Sequence, residues 1–165
     1  SAGGYFNPRT GKGYMHGYFE PDNEQMKQVR IVDWLTGMGT IVPREVVERI
    51  GYWDSENFPQ YHGDSDFTFR AMLEGIPVKI YPSLKLYNHV DNSGIEHQGS
   101  LKSLYRLLTD IRSKSNLRKN LLFYRKYVKS PIAYLPWFWL YLKIVGGFLK
   151  WKVLSLIGIG KKRKK

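Results

Sequence analysis

Two aspartates separated by a serine, Asp64 and Asp66, lie in the densest chemical cluster of the chain, Tyr61-His62-Gly63-Asp64-Ser65-Asp66-Phe67-Thr68-Phe69-Arg70. Three kinds of chemistry suit carboxylates in that pattern. The first is capping: Asp64 or Ser65 accepts backbone N–H bonds at a helix start, and Asp66 complements the positive end of the helix dipole. The second is a shared divalent cation that holds a nucleotide diphosphate. In the third, one carboxylate is the general base for a hydroxyl that must lose its proton. The D-x-D spacing does not by itself choose among them. Other groups surround the pair. His62 precedes it, and Arg70 can reach Asp66 across one helical turn. His89 ends an apolar run, with His97 nearby; a neutral imidazole suits Mn2+, and equally suits an ordinary structural role.

These groups need elements to position them. Phe67, Ala71 and the Phe69/Leu73 pair recur at helical spacing after the aspartates, and Gly75 supplies a stop. Upstream, Val29–Leu35 has the alternation of a strand, and Thr36–Val42 reads as a glycine-punctuated bend running into a second short strand. The Trp34-Leu35-Thr36-Gly37-Met38-Gly39 stretch lacks side-chain bulk at two positions. This fits either a tight bend or a close backbone approach to a sugar or diphosphate. Pro43 to Gly51 predicts a short helix, with Pro43 at its first position and Gly51 at its C-terminal cap. Residues 76–82 and 84–90 predict two short strands broken at Pro82-Ser83. The opening stretch through Gln25 reads as loop. Trp34, Trp53, Phe58 and Tyr61 offer flat apolar faces for a sugar ring, or core packing.

Several of these features occur in order. Thr36-Gly37-Met38-Gly39 is followed by a short helix, then Ile50-Gly51-Tyr52-Trp53-Asp54, then Gly63-Asp64-Ser65-Asp66, then Arg70-Ala71 and Gly75, and finally Pro82 to His89. The series resembles the second half of the catalytic domain of family 2 glycosyltransferases, which have the GT-A fold, and covers residues 29–95. The resemblance implies an α/β fold, a partial GT-A domain over residues 1–98 without its N-terminal nucleotide-binding half, and hence a piece of a longer enzyme. It implies inverting transfer of a sugar from a nucleotide-sugar donor to a hydroxyl acceptor. Asp64 takes the position of the family's base. Trp34, Thr36, Gly37, Gly39, His62, Asp66 and Arg70 fall where acceptor or donor would be held, and His89 where some members place a ligand to Mn2+ or Mg2+. One departure is Gly63, where Glu is commoner. Another is the lack of a donor-site D-x-D at the end of an apolar strand. The open sheet edge of such a half domain invites self-association into a homo-oligomer.

The rest of the chain is of another composition. Residues 1–100 hold nine Lys and Arg against thirteen Asp and Glu, whereas residues 101–165 hold seventeen basic residues and one acid, Asp110. No cysteine is present, which excludes a disulfide scaffold, thiolate zinc sites and a Cys nucleophile. Residues 99–130 predict basic amphipathic helices: a long one from Leu101 through Ile111, then a second from Asn116 to Val128. Residues 131–165 cluster Trp, Phe, Tyr and Leu, interrupted by lysines and closed by Lys161-Lys162-Arg163-Lys164-Lys165. Their first uncharged run is too short for a bilayer span, Pro136 and Gly146-Gly147 read as interruptions, and a mid-bilayer lysine costs about 2.5–3.5 kcal/mol. A helix lying in the headgroup layer accommodates the aromatics and lets Lys143, Lys150 and Lys152 snorkel, while the tail adds attraction to anionic lipid. A span, or a soluble helix pair packed on the rest of the enzyme, are the competing readings. A peripheral or monotopic place on the cytoplasmic face of the membrane suits a lipid-linked or cell-surface glycan acceptor. Two other readings of the whole chain compete: a non-catalytic basic-aromatic module for anionic membrane, and a catalytically dead remnant. Nucleic acid is not expected as a partner, since the basic residues follow an apolar helix and no nucleic-acid-binding signature accompanies them.

Overall fold

The computed structural model describes residues 3–18, 20–21, 27–87 and 99–157. Its first elements lie where the sequence predicts loop. Strands β1 (Gly4–Asn7) and β2 (Lys12–Met15) form an antiparallel hairpin with Gly4 opposite Met15 and Asn7 opposite Lys12. The turn is built by Asn7, whose side-chain carbonyl accepts from the backbone N–H groups of Arg9 (2.9 Å) and Thr10 (3.2 Å). Gly11 closes it at φ +66°, where a β-carbon would overlap the carbonyl of Ala133. The short, glycine-bearing strands hide this hairpin from a reading of periodicity.

The predicted strand at residues 29–35 shrinks to β3 (Arg30–Ile31), which pairs antiparallel with β4 (Lys79–Ile80). The chain then leaves that ladder for the hairpin. Asp33 and Trp34 bond to Gly4 through the backbone, and the Asp33 carboxylate accepts from the Phe6 N–H at 2.7 Å. Helix α1 (Arg44–Ile50) is capped by Gly51 at φ +77°, with Pro43 one position earlier than expected, at the N-cap. Helix α2 (Gly63–Leu73) follows an irregular, aromatic segment and ends at Gly75, φ +77°. Leu84 to Tyr87, expected as strand, form none, and His89 and His97 lie outside the described residues.

Beyond these come helices α3 (Leu101–Thr109), α4 (Leu117–Tyr127) and α5 (Leu135–Leu156), the last preceded by a 3-10 turn at Pro131–Tyr134. The predicted continuation of α3 through Ile111 fails because Asn116 serves both helix ends. Its side-chain nitrogen donates to the carbonyls of Thr109 (2.7 Å) and Asp110 (3.1 Å), and its oxygen accepts from the Lys119 N–H (2.9 Å) to cap α4. Helix α5 runs through Pro136 and Gly146-Gly147, the expected interruptions. Pro136 sits in the first turn, where no N–H is needed.

The resulting α/β molecule has α2 at its centre. One core cluster joins Phe58, Phe69, Phe123 and Tyr127, with Phe6, Trp34, Leu122 and Tyr124 packed on it. A second joins Val32, Ala71 and Val78, with Leu35, Val46, Ile50 and Ile80 around them. Met72 of α2 touches both. Phe69 is 1% exposed, and burying such a ring stabilises by about 1.5–3 kcal/mol. Helix α4 supplies Phe123 and Tyr127 to the same core as Phe69 and is thereby packed into the α/β part.

Candidate functional site

The start of α2 differs from the expected capped terminus. Neither Asp64 nor Ser65 is the N-cap: the helix begins at Gly63, with His62 at the cap position and no side-chain cap bond. Among the described residues His62 alone holds a positive φ (69°) without being glycine. A β-carbon on Gly63 would lie 3.0 Å from the Phe58 carbonyl, so the position favours the smallest residue.

Residues two apart do not share a helix face, and the two aspartates go opposite ways. Asp66 points into the core and is 0% exposed. It accepts from Tyr127 Oη at 2.6 Å and pairs with Lys126 Nζ at 2.6 Å and Arg70 Nε at 3.1 Å. This buried ion cluster corrects the expectation that Asp66 contacts an acceptor. The expected Arg70 pairing across one turn is present. Arg70 also donates to the carbonyls of Ile50 (2.5 Å) and Tyr52 (2.6 Å), closing the C-terminal end of α1, so its guanidinium is committed to structure.

Asp64 points the other way. With Gly37, Thr40, Val42, Trp53 and Thr68 it lines a cavity of about 190 Å³. Its carboxylate makes no ion pair or side-chain hydrogen bond to another described residue. Three interactions place it. The Thr68 hydroxyl, one turn along α2, donates to the Asp64 carbonyl at 2.7 Å and accepts from the Leu35 N–H at 2.9 Å, pinning the glycine-containing turn to the helix. Thr40 Oγ1 donates to the Thr36 carbonyl at 2.5 Å and folds that turn back. Gly37 then lies so close that a β-carbon there would overlap the Asp64 carboxylate. The approach that this glycine permits is therefore first of all to Asp64. Gly39, φ +75°, instead makes room for Leu86. Trp53 forms the apolar wall, stacked on Phe67 with centroids 3.9 Å apart and 40% exposed.

The site thus gathers Asp64, Gly37 and Trp53 from the sequence-predicted residues. Thr36 contributes a backbone carbonyl beside it. Trp34 does not enter the cavity: it packs on the core and bonds to Gly4 through its backbone. His62 is also turned away, against Phe123 (4.6 Å between ring centres) and Asn120 (2.5 Å). Sequence reasoning missed Thr40, Val42 and Thr68. For Thr68 a signal existed, its position four residues after Asp64 on the same face.

Electrostatics separate these groups further. Burial pushes the His62 imidazole below its ordinary pKa, against the opposing pull of the Asn120 hydrogen bond and the Asp66 charge. Burial also pushes the Tyr127 phenol well up, reinforced by its hydrogen bond to Asp66. Asp54 is raised by burial but held below the usual carboxylate range by Asn57 and by Lys126, the latter tying the aromatic segment to α4. Among the described residues no three His, Asp or Glu side chains gather to hold a cation. His89, the expected ligand to Mn2+ or Mg2+, lies outside the described residues.

Compared with known proteins, the chain matches no family model, no curated protein and no solved structure.

Proposed function

We propose that the chain is the acceptor-side part of an inverting glycosyltransferase, with Asp64 as general base. The observation that carries the reading is the divergence of the two aspartates. One is consumed by a buried ion cluster; the other stands unpaired among the described residues, on an aromatic-walled cavity. An acceptor hydroxyl entering the cavity would hydrogen-bond to Asp64. As its oxygen bonds to the anomeric carbon of the donor sugar, its proton passes to the Asp64 carboxylate, and the nucleoside diphosphate departs with the electrons of the broken glycosyl bond. General-base assistance of this kind contributes about 10²–10⁴-fold. The cavity is smaller than the roughly 300 Å³ at which pockets begin to enclose whole ligands, so it suits the reacting end of an acceptor.

Helix α5 supports an anionic membrane surface as a second partner. The segment Pro131–Leu156 is long and apolar enough to cross a bilayer by length and composition, with mean hydropathy 1.4. Its inward stripe, however, is seated on the protein through Tyr141, which bonds to Asn120 of the basic helix α4. A span at that depth would draw the charges of α4 toward hydrocarbon, so we favour a peripheral or monotopic helix in the headgroup layer of the cytoplasmic leaflet. Phe138, Trp139, Leu142, Val145 and Leu149 are exposed for that contact, and a lipid-linked glycan is the matching acceptor.

The test is Asp64→Asn in the intact enzyme, with its nucleotide-binding half present. It is assayed for nucleoside diphosphate release from a panel of nucleotide-sugars, on anionic vesicles carrying lipid-linked acceptors. The expected result is loss of transfer by at least about 100-fold, with donor affinity unchanged. Turnover near that of the parent protein would remove Asp64 from the role. Vesicle binding with no transfer of any donor by the intact parent enzyme would favour the non-catalytic membrane module, for which the exposed face of α5 also speaks.

A further inference from the structure

We infer that His62, Asn120 and Tyr141 form a hydrogen-bonded relay through which the seat of α5 positions the first turn of α2, and with it Asp64. The functional meaning of the relay rests on the proposed role of Asp64; its existence does not.

The relay can be followed atom by atom. Tyr141 Oη donates to the Ser115 carbonyl at 3.2 Å and accepts from Asn120 Nδ2 at 2.6 Å. The same Nδ2 donates to the Lys114 carbonyl at 3.1 Å, which fixes the orientation of the amide. Asn120 Oδ1 is therefore the face turned to His62 Nε2, 2.5 Å away, and the imidazole must present its proton there. The ring is also stacked on Phe123, three residues along α4 from Asn120. Its hydrogen bond and its closest ring contact are thus both to the helix on which α5 rests, with Phe58 edge-on at 5.9 Å as its further ring contact.

What the relay holds in place is a strained backbone. A β-carbon at φ 69° is disfavoured and persists only where surrounding contacts over-determine it. Here the contacts are Asn120, Phe123 and, edge-on, Phe58. The held backbone has a defined consequence, since the His62 carbonyl accepts from the Asp66 N–H at 2.7 Å and so starts the hydrogen-bond ladder of α2. Asp64 is the second residue of that helix. Lifting α5 removes the shorter of the two bonds that orient the Asn120 amide and loosens its hold on the imidazole, so the left-handed residue can relax. The turn that aims Asp64 at the cavity then loses its anchor. An apolar helix with most of its surface exposed becomes, by this route, a positioning element for a carboxylate it does not touch.

Tyr141→Phe removes the hydroxyl and keeps the ring. His62→Asn cuts the other end of the relay, because asparagine tolerates a positive φ but is too short to reach Asn120. Both are measured in the full chain by amide hydrogen exchange, with activity not entering the readout. We expect exchange over residues 64–68 to rise at least tenfold in each variant, while residues 47–50 of α1 exchange as in the parent. Parent-like exchange over residues 64–68 in either variant would overturn the relay. So would an equal rise in α1 and α2 in both variants, which signals general loosening. Neither result depends on whether Asp64 is a base, which Asp64→Asn turnover decides separately.

Discussion

Replacing Asp66 by asparagine keeps the volume of a wholly buried side chain and removes its charge. In the parent, Oδ1 receives both Tyr127 Oη and Lys126 Nζ at 2.6 Å, and Oδ2 receives Arg70 Nε at 3.1 Å. An asparagine can present its oxygen to Tyr127 and Lys126, but its NH2 then faces the Arg70 N–H, donor against donor. One charge-assisted hydrogen bond, about 1.5–3 kcal/mol, is lost. The Lys126 ammonium also loses its buried counter-charge. Breaking a buried pair costs about 3–5 kcal/mol. Arg70 and Lys126 are 21% and 33% exposed, so water screens part of the loss. Arg70 also keeps its two carbonyl bonds. We therefore place the cost near the lower bound, about 3 kcal/mol. For a chain of this size that corresponds to roughly 6–12 °C in melting temperature. Asp64→Asn, which breaks no pair among the described residues, is expected within about 0.5 kcal/mol of the parent. Thermal melts of the two variants followed by far-UV circular dichroism provide the comparison. If Asp66→Asn melts within 2 °C of the parent (roughly the scale of a neutral surface change), or if Asp64→Asn is the less stable of the two, the assignment of the two carboxylates is wrong.

Two further outcomes follow from the same geometry. Gly37→Ala should displace the Asp64 carboxylate, which a β-carbon would overlap, at a stability cost of only about 1 kcal/mol because a side-chain end can rotate away; nucleoside diphosphate release should fall at least tenfold, and parent-like release would show that the turn does not constrain Asp64. His62 is held below its ordinary value of 6.5, first by burial, so the folded state favours the neutral ring. Its contribution to stability is complete above pH 6.5 and is lost as the pH falls from there toward the depressed folded value, because the unfolded chain takes up the proton first. Urea midpoints measured between pH 7.5 and 5 should therefore decline in the parent and decline less in His62→Asn; equal slopes would exclude His62 as the titrating group. Asp54, held below 3.8, contributes fully above that pH, and its contribution is lost only as the pH falls below it, outside the His62 window.

The helices that flank the site were legible because their stops are local. Gly51 and Gly75 both adopt positive φ where the apolar spacing ends. The fate of the two aspartates was legible only in part. Asp66 is three residues from Phe69 and four from Arg70, which marks the inward face. Tyr127 and Lys126, which complete its environment, are about sixty residues away, and no spacing rule reaches them. The hairpin was hidden for the opposite reason. Its strands are four residues each and hold glycines, so alternation has no room to appear, although Asn7, Pro8 and Gly11 carried ordinary turn chemistry. The strand expected at residues 29–35 was shortened by Asp33, whose side chain bonds to the hairpin and turns the chain away from β4.

The same distinction between local and distant determinants explains how Asp64 is held without being neutralised. A base has to be placed firmly while its charge stays open to substrate. Here the placement is done by atoms other than the carboxylate. Thr68 holds the Asp64 carbonyl, Gly37 sets how near the turn approaches, and the His62 carbonyl starts the helix below it. The two cations nearest the buried carboxylate are engaged on its side of the helix, Arg70 on Asp66 and the end of α1, Lys126 between Asp54 and Asp66, so neither is drawn to the cavity that Asp64 lines.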